Sequence, residues 1–257
     1  MAPLVRITAV SYLNSVPFVY GIRRAGIFLP CELVLAPPSS CAQAMNQGLT
    51  DIALVTVAEI PRLNTPVKII CDYCLGTSKG AHTVVLLSNS ELKDIKTIIL
   101  DPESCTSNSL TQILCKEHWN INPNFEMRNN HTQIDTHTKN IGYVLIGDRV
   151  FDFEHRFKYC IDLSVEWINM TGLPFVFAAW VARTDVSEEV VSALNNALKY
   201  GVNNITQAID ESDYANKQQA QNYLKQNIDF IFNRDKHTAL ALFWEKGIKC
   251  TERVNPG

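Results

Sequence analysis

Residues 4–60 alternate between strand-like and helix-like text, whereas the last third of the chain reads almost wholly as helix, so neither end can bury its apolar face alone. Leu4 to Val10 is a β-rich run. SYLNSVP follows as a loop, with Ser15 as a candidate cap and Pro17 in the first turn of a short helix. Glu32 to Ala36 reads as a second strand, SSCAQAMNQGL from Ser39 as a helix stopped by Gly48, and DIALVTVAEI as a third strand. This βαβαβ order implies parallel strands with right-handed crossovers. Val67 to Cys71 and His82 to Leu87 add two strands. A second α/β unit then follows: strand Lys96 to Leu100, helix Asn108 to His118, strand Gly142 to Ile146 and a short helix from Val165 to Met170.

After a strand-like run from Leu173 to Ala182, Asp185 and Glu188 fit a capping box, and Val190, Val191, Leu194, Leu198 and Val202 form an apolar stripe at helical spacing. Further helical text surrounds Tyr214 to Phe232 and Arg234 to Lys246. These helices have no sheet of their own and need the N-terminal one to cover. The expected layout is a discontinuous lobe of residues 1–87 plus 176–257, with residues 88–175 inserted as a second lobe.

A length of 257 residues suits one or two domains, and 46% apolar with 19% charged residues excludes disordered, collagen-like and coiled-coil chains. The net charge of −3 offers no general attraction for nucleic acid or an anionic membrane, so neither is an expected partner. No basic segment precedes a long apolar run, and the longest uncharged apolar stretch, Leu173 to Ala182, is too short to span a bilayer. A cytoplasmic location is expected, and with it free thiols at the eight cysteines rather than bridges. Cys71 and Cys74 form a lone CxxC, but no second pair or HxxxH completes a metal set.

In open parallel sheets, ligands bind beyond the C-terminal ends of the strands. Two loops stand there. Ser11, Tyr12 and Asn14 follow the first strand, and Asp101 to Ser107, with Ser104, Cys105, Thr106 and Ser107, follows the strand TIIL. Hydroxyls and free N–H groups at a helix start can hold an anion, although they equally well do nothing but cap the helix. Asp148 and Arg149 follow the strand YVLI and read either as facing a ligand or as a loop ion pair. His118, His131, His137, His155 and His237 show no metal spacing and read as solvated surface, and FVFAAW reads as core.

The loop SYLNSVPF at 11–18 resembles the opening of the chorismate dehydratases of the futalosine route to menaquinone, relatives of the type 2 periplasmic binding proteins. GLTDIALVTVAEIPRL at 48–63, DPESCTSNSLTQIL at 101–114, YVLIGDRVF at 143–151 and WINMTGLPFVFAAWVAR at 167–183 resemble the family in the same order. The resemblance implies an α/β, two-lobed fold of the type 2 periplasmic-binding-protein kind, with a ligand cleft between two mixed sheets. It also implies conversion of chorismate, a small-molecule substrate, to 3-[(1-carboxyvinyl)oxy]benzoate with loss of water, and with no metal or organic cofactor.

By the same resemblance Asn14 is a functional asparagine, and Thr83 takes the place of a serine that follows an arginine in the family pattern. Here His82 stands where that arginine would be, so the permanent charge is lost while the hydroxyl is kept. An amide and an alcohol are poor bases near neutral pH, which makes the substrate's own enolpyruvyl carboxylate the expected proton acceptor. Two alternatives remain open at this point. One is the sister enzyme forming 1,4-dihydroxy-6-naphthoate, and the other is a solute-binding protein for a small carboxylate anion.

Overall fold

The computed structural model describes residues 4–24, 30–129 and 134–251, with side chains given as far as Gly247. His131 and the Cys250 side chain lie outside the described residues. The strands are β1 (Val5–Val10), β2 (Cys31–Ala36), β3 (Ile52–Thr56), β4 (Val67–Thr77), β5 (Val84–Ser88), β6 (Thr97–Leu100), β7 (Asn124–Met127), β8 (Ile141–Ile146), β9 (Tyr159–Asp162), β10 (Phe175–Arg183) and β11 (Asp229–Ile231). The helices are α1 (Val16–Arg24), α2 (Pro38–Asn46), α3 (Cys105–Glu117), α4 (Val150–Phe153), α5 (Leu163–Thr171), α6 (Glu188–Asn203), α7 (Ile205–Asp210), α8 (Lys217–Gln226) and α9 (Arg234–Thr251). The chain divides into two compact units, Met1–Thr77 with Val176–Arg234, and Ser78–Phe175 with Asp235–Gly257.

The first unit holds a sheet in the order β11-β4-β10-β3-β1-β2. β1 runs parallel to both β2 and β3, as the βαβαβ text requires, and β10 lies antiparallel to β3 with Ala179 opposite Val55. Every residue of β3 is buried, which suits a central strand covered on both faces. Helices α1 and α6 pack unusually close. A Cβ on Gly21 would fall 2.0 Å from the Ala197 carbonyl oxygen, and one on Gly201 would fall 1.8 Å from that of Pro17. Only the missing side chains permit this contact. Phe18 packs edge-on to Trp180 and Phe230 beneath it, with ring centroids 5.8 and 5.3 Å away.

The second unit holds a sheet in the order β7-β6-β8-β5-β9. β6 is parallel to β7 and β8, whereas β5 is antiparallel to β8 and β9. Val85, Leu87, Tyr143, Leu145, Val150 and Phe157 make one core on this sheet. In the same unit Trp167, Phe175 and Phe243 meet edge to face at 5.4–6.0 Å.

Several expectations need adjustment. The division falls after Thr77 rather than after residue 87, because β5 finds its hydrogen-bonding partners in β8 and β9. Residues 235–251 group with the second unit, where Phe243 of α9 packs on Trp167 and Phe175. Within the helical C-terminal text, Asp229–Ile231 forms an edge strand antiparallel to β4. The cap of α6 is Ser187, whose hydroxyl oxygen accepts from the Val190 N–H, while Asp185 is held by Arg183. Ser15 caps nothing: it ends a 3-10 turn, Leu13–Ser15, that runs straight into α1.

Candidate functional site

In the first unit, Ser11 leaves β1 with its N–H donating to the Ala36 carbonyl, and its side chain is exposed. Tyr12 is extended, and the turn Leu13–Ser15 then buries Leu13 and Ser15. Asn14 lies between them, half-buried. Its carboxamide oxygen accepts only a long 3.4 Å bond from the Ser15 hydroxyl, and among the described residues its amide nitrogen is uncommitted. This leaves a donor and most of an acceptor of Asn14 without an internal partner among the described residues. The parallel neighbour β3 ends at the same edge of the sheet, and there Thr56 donates a short hydrogen bond to the Glu59 carboxylate. Burial pushes the Glu59 carboxyl above its ordinary range, against the pull of the Thr56 hydroxyl and Arg62. The sequence shows this pair only as a T-x-x-E spacing.

In the second unit, the parallel strands β6 and β8 deliver two loops to one edge of the sheet. Helix α3 begins three residues earlier than its periodicity suggests. Ser104 is its cap, accepting from the Ser107 N–H at 3.1 Å and donating to the Ser107 hydroxyl at 2.9 Å. Ser104, Thr106 and Ser107 are buried and Cys105 is half-buried, so the capping function of Ser104 is realised in full. The Asn108 carboxamide grips Asp101 by its backbone, accepting from its N–H at 3.0 Å and donating to its carbonyl at 2.7 Å.

The Asp101 carboxylate is completely buried. It accepts from the Glu103 N–H at 3.0 Å and from Arg149 Nη2 at 2.6 Å, with Arg128 Nη2 at 3.4 Å. Its pKa still lies above the ordinary aspartate value, because burial outweighs Arg149, the Glu103 N–H and Arg128. Arg149 thus pairs with Asp101 and, at 3.3 Å, with Glu103; its Nε donates to the Ile146 carbonyl at 3.1 Å. Asp148 is half-buried in the same loop.

Thr83 immediately precedes β5, beside the residues that follow β8. Its carbonyl accepts from the Gly147 N–H at 2.9 Å, which places it beside the Asp148 loop. The Thr83 side chain is buried, with a 3.5 Å contact to the Ala81 carbonyl. His82 sits at φ +60°, its side chain exposed and its N–H donating to Asp162 Oδ2 at 2.7 Å. Asp162 also caps α5 through the N–H groups of Ser164 and Val165. The second unit therefore gathers Thr83, Asp148 and residues 101–107 at one sheet edge, while Ser11, Tyr12 and Asn14 belong to the first unit.

Other conspicuous groups are structural. Cys71 and Cys74 are in no disulfide, and burial pushes Cys71 up to about 12, too high for a reactive thiolate. His118 is not solvated surface: it lies 3.2 Å from Glu166, which also accepts from the Trp119 indole. FVFAAW is largely core, with Phe175 and Trp180 among the largest buried side chains. A groove of about 990 Å³ along α1 and α6, lined by Arg24, Asn196 and Tyr200 among others, contains none of the signature residues. Among the described residues no cluster of His, Cys, Asp or Glu is placed to hold a metal, and no helix is long and apolar enough to cross a membrane.

A chorismate dehydratase of Thermus thermophilus is 24% identical over 218 residues, spanning 77% of this chain and 78% of that protein. Among solved structures, a protein of Archaeoglobus fulgidus matches with a TM-score of 0.74 at 15% identity, covering 95% of this chain and 97% of the other. A Candida albicans protein described as having the generic periplasmic binding protein fold matches with a TM-score of 0.66 at 13% identity, over 99% and 92% of the two chains. The family model for menaquinone biosynthesis matches residues 5–249, nearly the whole length, and the chain belongs to that family.

Proposed function

We propose that this protein is a chorismate dehydratase, a hydro-lyase acting in the cytoplasm that converts chorismate to 3-[(1-carboxyvinyl)oxy]benzoate. The observation that carries this reading is the match to a relative named chorismate dehydratase across three quarters of both chains, within a menaquinone biosynthesis family match. The site chemistry agrees. Asn14 offers an amide with free hydrogen-bonding capacity at the end of β1, and Thr83 offers a hydroxyl at the start of β5.

Neither group is a base near neutral pH. In the proposed reaction the enolpyruvyl carboxylate of the substrate removes the proton from the ring carbon bearing the ether. That C–H electron pair becomes the new ring double bond, and hydroxide leaves from the adjacent carbon, takes up the proton now on the enolpyruvyl carboxyl and is released as water. Aromatisation drives the step, and the protein contributes orientation and hydrogen bonds. Asn14 and Thr83 contact the reacting end, while the first turn of α3 holds one carboxylate of the dianion.

Purified protein mixed with chorismate alone should develop a benzoate-type ultraviolet spectrum and a product lighter by one water. A stable, unreacted complex would instead support a binding protein for a carboxylate anion. Turnover of a substrate analogue lacking the enolpyruvyl carboxylate at an undiminished rate would remove the substrate-assisted step.

A further inference from the structure

The proposed reaction expels hydroxide from the ring, and hydroxide is a poor leaving group near neutral pH unless a positioned acid protonates it as it departs. An amide and an alcohol supply no such proton, so Asn14 and Thr83 leave this step unassisted. A carboxyl that keeps its proton is the group required.

Glu59 stands in the same unit as Asn14 and at the same sheet edge. β3 runs parallel to β1 with Ala53 opposite Thr8, and the same offset sets Thr56, the last residue of β3, level with Ser11 at the start of the SYLN loop. The Ser11 N–H donates to the Ala36 carbonyl, whose oxygen lies 4.0 Å from the buried Cys41 sulfur, and the Glu59 charge acts on that thiol. Glu59 is thus near the base of the loop that carries Asn14.

The fold makes little use of this carboxyl. Glu59 caps the 3-10 turn Ile60–Arg62, but its side chain makes no cap hydrogen bond. Thr56 donates to Oε2, and among the described residues Oε1 has no hydrogen-bond or ion-pair partner. The residue is half-buried between buried Ala58 and Ile60. Among the described residues, the charged and titratable groups that act on it are Arg62 and the Cys41 thiol of α2. Burial outweighs both Thr56 and Arg62, so the carboxyl holds its proton above the ordinary glutamate range.

We propose that Glu59 is the general acid of the elimination, donating its carboxyl proton to the ring hydroxyl oxygen as the C–O bond breaks. The departing oxygen takes both electrons of that bond and the Glu59 proton, and leaves as water. The C–H electron pair forms the ring double bond, and the C–H proton rests on the enolpyruvyl carboxyl. Its transfer to the Glu59 carboxylate restores the acid, so Glu59 is the relay by which that proton replaces the one given to hydroxide. Thr56 is the positioning residue: it occupies Oε2 and leaves Oε1 to carry the proton.

This proposal rests on the chorismate dehydratase reading, and its test separates the two. The full-length protein and its Glu59→Gln and Glu59→Asp variants are assayed with chorismate from about pH 5 to pH 9. Glu59→Gln keeps the size of the side chain and an acceptor for Thr56 but carries no acid proton. It should lower kcat by about 100- to 1000-fold with KM within about threefold of wild type. An acid works only while protonated, so wild-type kcat should decline as the pH rises and Glu59 ionises, and that decline should be absent from Glu59→Gln. Glu59→Asp should keep the decline with an intermediate kcat. A purely structural role would move the thermal midpoint and leave the shape of the pH profile unchanged.

A kcat within about threefold of wild type in Glu59→Gln, or the same alkaline decline in wild type and Glu59→Gln, would overturn the proposal. So would a wild-type kcat that does not fall with rising pH, a result independent of how the variants fold. If wild type converts chorismate and one of these results is found, the acid assignment alone fails. If wild type converts no chorismate, the functional reading fails and the assignment fails with it.

Discussion

Asn14 and Thr83 are small neutral residues whose value lies in direction rather than charge. Asn14 is half-buried with a weak internal bond among the described residues, and Thr83 is buried with a 3.5 Å side-chain contact to the Ala81 carbonyl. On the proposed reading, removing either group strips a hydrogen bond from the reacting end. Asn14→Ala and Thr83→Ala are each expected to lower kcat by about 100-fold, the usual loss for one oriented donor. Circular dichroism and the thermal midpoint should stay near wild type.

Asp51 behaves differently, because it accepts from the Arg6 backbone N–H, Nε and Nη2, and that ion pair holds its carboxyl below the ordinary aspartate value. A lowered folded-state pKa adds stability above the unfolded value of about 3.9, and that stability is lost as the pH falls through the folded value. Asp51→Asn should thus cost about 1–2 kcal/mol at pH 7, and urea melts should show that cost shrinking as the pH falls below the unfolded aspartate value. Glu59 and Asp101, raised by burial, carry the opposite sign: their contribution is present at low pH and declines as pH rises through their raised values.

At the level of elements, periodicity revealed the elements that carry most of the core and missed those that carry little of it. β1, β3 and β10 are apolar enough to announce themselves. β7, with text NFEM and mostly exposed, and the three-residue β11 are edge strands with almost no pattern to read. Their pairing is imposed by the neighbouring strand. The α1 and α6 contact was equally silent, since a glycine on a helical stripe gives no hint that a carbonyl of the other helix will approach to 1.8 Å of its missing Cβ. Gly201→Ala must push the helices apart, and chemical denaturation should report a loss of about 3 kcal/mol. The candidate site was legible as loop chemistry: SYLN and the Ser-Thr-rich start of α3 both stand at strand ends. The ion cluster was not legible, because Arg149 reaches past its sequence neighbour Asp148 to Asp101 on the loop of an adjacent strand.

For the whole molecule, a net charge of −3 and a dianionic substrate pose one question, namely where the attraction comes from. On the proposed reading local groups supply it: the Asn14 amide after β1, the Thr83 hydroxyl before β5 and the first turn of α3. The family membership gives the chain a place in menaquinone biosynthesis. The reaction is the part that a direct assay decides. Chorismate added to the purified protein, followed by ultraviolet spectroscopy and mass spectrometry, should give 3-[(1-carboxyvinyl)oxy]benzoate with loss of one water and without any added metal or cofactor. Chorismate recovered unchanged from a folded, fully active-site-intact protein would contradict the account.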